Sequence, residues 1–327
     1  MSTVIEDVET DATAEYSDIA ESQPFTSEFA QNLRDQTAAV RLMHSRLGVR
    51  RALSHAQVQE AAGVFGSDAD YLSASKRLID THDEVYKAVT GIISRSKAYW
   101  QTMTVPFPIK GIRLIRKDLV PNFNAAMLKF REELDEAVEL LSHRFESLRL
   151  DAQQRLGALY NSQDYPSDVH GLFRISWDYP NVEPPSYLKE LNPELYEQQA
   201  QLVQARFEEA LVLAEEAFTA ELQGLVSHLV ERLSDEGTSE KPKVFRNTAV
   251  ENLQTFFEKF RAMNVRSNGD LNALVTQAEQ IIKDIDPKDL RKKGALRLGI
   301  AEQMTAVKAK LDTMVVEAPT RAIDLED

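Results

Sequence analysis

Few residues in this 327-residue chain have the types and spacing that chemistry requires. Glu139 and His143 stand four apart, which on a helix sets both on one face, within reach of a shared metal ion. A second pair would have to come from elsewhere in the fold, and His228 is the further histidine placed to supply part of it. His82, Asp83 and Glu84 are adjacent, so a helix would turn them to different faces, which does not suit a general base and its orienting carboxylate. Asp168 and His170, beside Gly171, suit a local hydrogen bond. The chain lacks the Gly-x4-Gly-Lys-Ser/Thr phosphate loop, the Gly-x-Gly-x-x-Gly turn, the Gly-x-Ser-x-Gly elbow, the His-Glu-x-x-His metal helix and the paired Glu-x-x-His of di-iron bundles. It has no Cys, which removes disulfides, thiolate nucleophiles and Cys-type zinc sites. These residues predict no catalytic group, metal or cofactor.

A denser concentration of charge lies between Pro106 and Pro121, where Lys110, Arg113, Arg116 and Lys117 alternate with apolar residues. Such cations can hold phosphate, and with residues 291–297 they define one alternative, a nucleic-acid-associated protein. No Gly-rich cradle or aromatic ladder accompanies them, and acidic helices on either side offer nearer partners. The chain as a whole carries 38 Lys and Arg against 52 Asp and Glu, a formal charge of −14, which disfavours non-specific binding to nucleic acid or an anionic membrane.

The remaining distinctive side chains are aromatic. Phe173, Trp177, Tyr179 and Tyr187 stand among Pro180, Pro184 and Pro185 in residues 165–188. Rings beside prolines give large contact area on a restricted backbone, so they are expected to bind a protein partner. The competing reading folds them back as a cap. Within this segment, residues 172–179 are the strand candidate, rich in aromatic and β-branched types.

Two long helical stretches, residues 122–161 and 193–234, must position these groups. In the first, Met127, Leu134, Leu141 and Leu148 recur every seven residues, and Val138, Phe145, Ala152 and Leu159 form a second series. Leu211, Phe218 and Leu225, with Leu222 and Leu229, repeat the device in the second. Interleaved seven-residue series are the seam of a coiled coil, so the expected fold is mainly α: a long antiparallel helical hairpin over 122–234 with residues 165–188 inserted at its tip, plus a helical bundle. Gly and Pro number only 12 each, which also favours helix.

Around that hairpin, residues 1–24 carry seven acidic residues and no basic one, which predicts a disordered tail. Residues 25–121 are expected as N-terminal helices: one from Thr26 or Ser27 to Leu47, a shorter one from Ser54 to Gly66, and a longer one opened by Asp68. The segment before Pro121 is expected as a turn and a short helix. A linker near Gly237, a C-terminal helical region over 243–316 and a frayed tail over 317–327 complete the chain. No run reaches the ~18 apolar residues of a membrane span and no signal peptide is visible, so the expected setting is the cytoplasm, that of the host if the chain is phage-encoded.

Residues 243–265, with Phe256, Phe257 and Phe260, together with Gly269-Asp-Leu and Asp286-Pro-Lys-Asp-Leu-Arg291, resemble the closing region of a helical domain-of-unknown-function family of phage and bacterial genomes. Ser176-Trp-Asp-Tyr-Pro180 and Pro184-Pro-Ser-Tyr-Leu188 are similar to that family as well. Its members are sometimes encoded beside MoxR-type AAA+ ATPases and von Willebrand A-like proteins. The resemblance implies a non-enzymatic component working beside a remodelling ATPase, and it carries over no functional residue. The expectation is therefore a non-enzymatic interaction protein, an adaptor or scaffold, whose helix stripes close within one chain or in a homo-oligomer. The other alternative is a membrane-active protein of the pore-forming type.

Overall fold

The computed structural model describes residues 28–234, 248–263, 268–283, 285, 290 and 293–317. The acidic tail, the linker near Gly237 and residues 318–327 lie outside the described residues, as does Pro287. The chain is mainly helical around a small antiparallel sheet.

That sheet divides the helices into two layers. Its strands are β1 (Thr37–Ser45), β4 (Val105–Pro106), β5 (Ile112–Arg116) and β6 (Arg174–Asp178), in the order β4-β5-β1-β6 with every neighbour antiparallel. Successive strand side chains point to opposite faces. Ala39 and Leu114 therefore enter one core, and Val40 and Ile115 the other. Two smaller strands, β2 (Arg50–Ala52) and β3 (Ser75–Arg77), pair with each other away from this sheet.

One layer is α3 (Glu84–Met103) against α4 (Val120–Leu156). Tyr99 stacks on Phe123 at 6.0 Å, and Arg95 pairs with Glu133 across the two helices. The opposite layer is built on α6 (Pro193–Ser234), which packs against α1 (Glu28–Gln36), α7 (Thr248–Met263) and α9 (Gly294–Glu317), with α8 (Gly269–Ile282) behind them. Phe218, Phe256 and Phe260 form its aromatic centre.

The antiparallel hairpin is corrected by this arrangement. Although Leu225 is half-buried and Leu159 is exposed on a 3-10 turn beyond the end of α4 at Leu156, most of both seven-residue series is buried, with Met127, Leu134, Leu141 and Leu148 on α4 and Phe218, Leu222 and Leu229 on α6. They are buried in different cores, however, and among the described residues α4 and α6 do not line each other. An apolar stripe requires an apolar partner but does not name it. Here the sheet and α3 take the first stripe, and the C-terminal helices take the second.

Three further expectations change. The helix expected to reach Leu47 stops at Gln36, where Thr37 Oγ1 donates to the Leu33 carbonyl at 2.6 Å, and the chain continues directly as β1. The helix expected from Asp68 starts at Glu84, with Asp83 as its cap accepting from Val85 N at 3.0 Å. The turn and short helix expected before Pro121 is β5 followed by a single 3-10 turn at Lys117–Leu119. By contrast, the strand expected within 172–179 forms as β6. It joins the sheet as an edge strand rather than crowning a hairpin.

Candidate functional site

The aromatic connection is fastened to α4 and the sheet. Phe173 is 4% exposed and meets Tyr86 edge-on at 6.4 Å, so it is a core ring and not the surface ring expected of a partner site. Trp177 donates from Nε1 to Asn124 Oδ1 at 2.6 Å, while the Arg131 guanidinium lies 4.6 Å over its ring. Tyr179 donates to the same Asn124 oxygen at 3.0 Å. Tyr179 is nonetheless 38% exposed, and Tyr187 stands furthest out, at 62%, just before the short α5 (Leu188–Leu191). The structure thus divides this quartet between core, half-buried clamp and surface.

The four cations also separate. Arg113 turns inward onto Thr104 and Trp100. Arg116 holds Asp118 at 2.6 Å and the Ala262 carbonyl at the end of α7. Lys117 donates to the Asp35 carbonyl at 2.7 Å, capping the end of α1. Lys110 is exposed at the turn before β5. An alternating strand sends neighbouring residues to opposite faces, so these cations do not gather into a single phosphate-binding patch.

Around Glu139 the histidines form a line. His143 Nε2 is 3.2 Å from Glu139 Oε1, His170 Nε2 is 3.0 Å from Glu139 Oε2, and His170 Nδ1 is 2.5 Å from Asp168. Hydrogen bonds to Glu139 and then to Asp168 raise the His170 pKa. His228 lies on α6 beside Arg232, in the other layer, and does not join them. Both ring nitrogens of His170 already have carboxylate partners, and among the described residues no group of three or more His, Asp or Glu side chains converges as a metal site.

The surface that the sequence did not single out is a small lobe between β1 and α3. It consists of β2, α2 (His55–Phe65), a 3-10 turn at Ala69–Tyr71, and β3. Ser54 and Gln57 close α2 with a reciprocal capping box, and Gly66 ends it at φ 63°, a conformation that favours glycine. Ser67 N donates back to the Ala62 carbonyl at 3.0 Å. The base of the lobe is pinned by buried Lys76, whose Nζ reaches Asp164 at 2.6 Å and the Leu159 carbonyl at 2.7 Å. The ammonium of Lys76, and Arg51 after it, hold the Asp164 carboxyl below its ordinary value. At the end of α2 Val64 and Phe65 are each 78% exposed, and in the 3-10 turn Tyr71 is 91% exposed.

No protein-family model, curated protein or solved structure matches the chain.

The lobe tip therefore stands on its geometry. Three large apolar side chains sit on a backbone fixed at both ends by caps and a strand pair, an arrangement that displays them with little conformational freedom left to lose on binding. A clue was present in the sequence. Val64 and Phe65 precede a helix-ending Gly66 in a helix that lacks a full apolar stripe, so nothing on α2 was available to bury them.

Proposed function

We propose that this chain is a non-enzymatic interaction protein, an adaptor or scaffold, that docks to a protein partner through Val64, Phe65 and Tyr71. The observation that carries this reading is the exposure of those three residues on a well-anchored lobe. Removing several large apolar side chains from water is the main source of protein–protein affinity, and a fixed frame lowers the entropy cost of doing so. The partner proposed first is a MoxR-type AAA+ ATPase, on the resemblance of residues 243–265 and 176–188 to the family described above. The cytoplasm is the compartment proposed for it.

Two other readings are weaker. A nucleic-acid interface would need several cations presented together to a phosphate backbone, and Arg113, Arg116 and Lys117 turn to separate partners, at Thr104, at Asp118 with Ala262, and at Asp35. A membrane-active role would need a segment to enter lipid, and no helix among the described residues is long and apolar enough to cross a membrane.

The test is a combined Val64→Ser, Phe65→Ser, Tyr71→Ser variant, mixed with a MoxR-type AAA+ ATPase and resolved by size-exclusion chromatography. The wild-type chain is expected to co-elute with the ATPase, and the variant to elute alone with an unchanged melting temperature. Co-elution of the variant would remove the lobe from the interface. Failure of the wild-type chain to co-elute would remove the ATPase as partner.

A further inference from the structure

Where the two layers meet at the β4 edge of the sheet there is an open pocket of about 320 Å3. Its lining combines Arg113 of β5, Glu221 and Phe218 of α6, Lys259 of α7, and Val105 and Pro106 of β4. Arg113 is set in place by its neighbours. Nε donates to Thr104 Oγ1 at 2.7 Å, Nη2 donates to the Thr104 carbonyl at 3.0 Å, and the guanidinium lies 5.5 Å over Trp100. Nη1 has no partner among the described residues. The Nη1–Nη2 end of the fork therefore retains donors in the planar geometry that matches a carboxylate.

The second cation approaches from the other layer. Lys259 Nζ pairs with Glu221 Oε2 at 2.9 Å and lies 5.5 Å over the Phe218 ring. Each cation thus rests on an aromatic face, which favours the charged form. Among the described residues Arg113 makes no ion pair, and burial lowers its pKa, with Glu221 opposing that shift. A half-buried cation is costly where the carboxylate lining its pocket, Glu221, is already paired with Lys259, and an anion entering the pocket offsets that cost.

We infer that this pocket binds the carboxylate of a small organic acid, held by the free end of Arg113 and by Lys259, with the apolar body of the acid against Val105, Pro106 and Phe218. The charge balance selects the class. Arg113 and Lys259 against Glu221 leave one positive charge in excess, which suits a monoanion. A phosphate dianion would face Glu221 without a second surplus cation. The ligand bridges β5 in the sheet and α7 in the outer layer, so it ties the layers together and stabilises the folded chain. This site is independent of the lobe tip and of the partner proposed for it.

The probe is sodium benzoate, titrated into the full chain by calorimetry at constant ionic strength, with benzyl alcohol and inorganic phosphate as comparisons. Benzoate is expected to saturate one site and raise the melting temperature, with benzyl alcohol inert and phosphate weaker than benzoate. Arg113→Gln is expected to weaken benzoate at least ~10-fold, the usual effect of losing a charge-assisted hydrogen bond. Because Arg113→Gln also removes contacts to Thr104, two variants on the opposite wall keep the test independent of folding. Lys259→Gln should weaken binding, and Glu221→Gln should tighten it. A purely structural Lys259–Glu221 pair would not produce tighter binding on losing Glu221. The inference is overturned by any of three results: no saturable benzoate binding, phosphate binding more tightly than benzoate, or a benzoate affinity indifferent to all three substitutions.

Discussion

Trp177 illustrates how a residue type can be right for two roles while its contacts select one. Its indole N–H is bonded to Asn124, its ring is covered by Arg131, and it packs against the α3–α4 core. Trp177→Ala should therefore lower stability by roughly 2 kcal/mol, less than a fully buried Trp because the ring is only partly covered. Chemical denaturation measures this, and an unchanged midpoint would return Trp177 to the list of surface rings. His170 supplies a second test at this scale. Glu139 and Asp168 raise its pKa above the ordinary 6.5, so its stabilising contribution is complete below about that pH and is lost as pH rises through the higher folded value. Melting curves of wild type and His170→Gln should differ most near pH 6 and converge on the alkaline side. Curves that diverge as pH rises would contradict the sign.

Among the elements, α4 is where sequence and structure agree most closely. Leu141 is fully buried at mid-helix, and Leu141→Asp should cost at least ~3 kcal/mol by placing an unpaired carboxylate in the core. Wild-type-like melting would show that the stripe is not buried. The stripes of α4 and α6 were legible because a spacing of seven with an offset of four marks the buried side of a helix whatever covers it. The lone strand foreseen, β6, was legible from its aromatic and β-branched residues. The other sheet strands were not. In β1 the alternation is concealed, since Ala39 is small on one face, Arg41, Met43 and Ser45 are exposed beyond it, and Val40 and Leu47 also fit a helical spacing. In β5 the run Ile112, Leu114, Ile115 faces a core on both sides of the sheet and carries no single period. The candidate site shows the same division. Tyr187 is legible as an exposed ring, while the burial of Phe173 is not, because which aromatic among several is buried depends on the strand edge that receives it. Val64 and Phe65 are not legible as surface residues, because apolar residues on a helix ordinarily face a core, and Tyr71 falls in a 3-10 turn that its residue types do not announce.

For the whole molecule, the decisive feature is a sheet with a helical layer on each face rather than one long seam. Leu141 and Leu222 illustrate the difference, since each is fully buried but in a separate core. Leu141→Ala and Leu222→Ala should each cost roughly 2–5 kcal/mol, and the double variant should equal their sum within about 0.5 kcal/mol. A coupling well beyond that would mean the long helices share a seam after all. The lobe carries Phe65 and Tyr71 exposed to solvent, and the proposed role requires a partner that covers them. That is tested most directly by placing the photoreactive residue p-benzoylphenylalanine at Phe65, and in parallel at Tyr187 and at exposed Leu298 on α9, then irradiating the native cell. A discrete adduct of this chain with one protein partner is expected from Phe65, and none from Leu298. No adduct from Phe65, or the same adducts from Leu298, would contradict it.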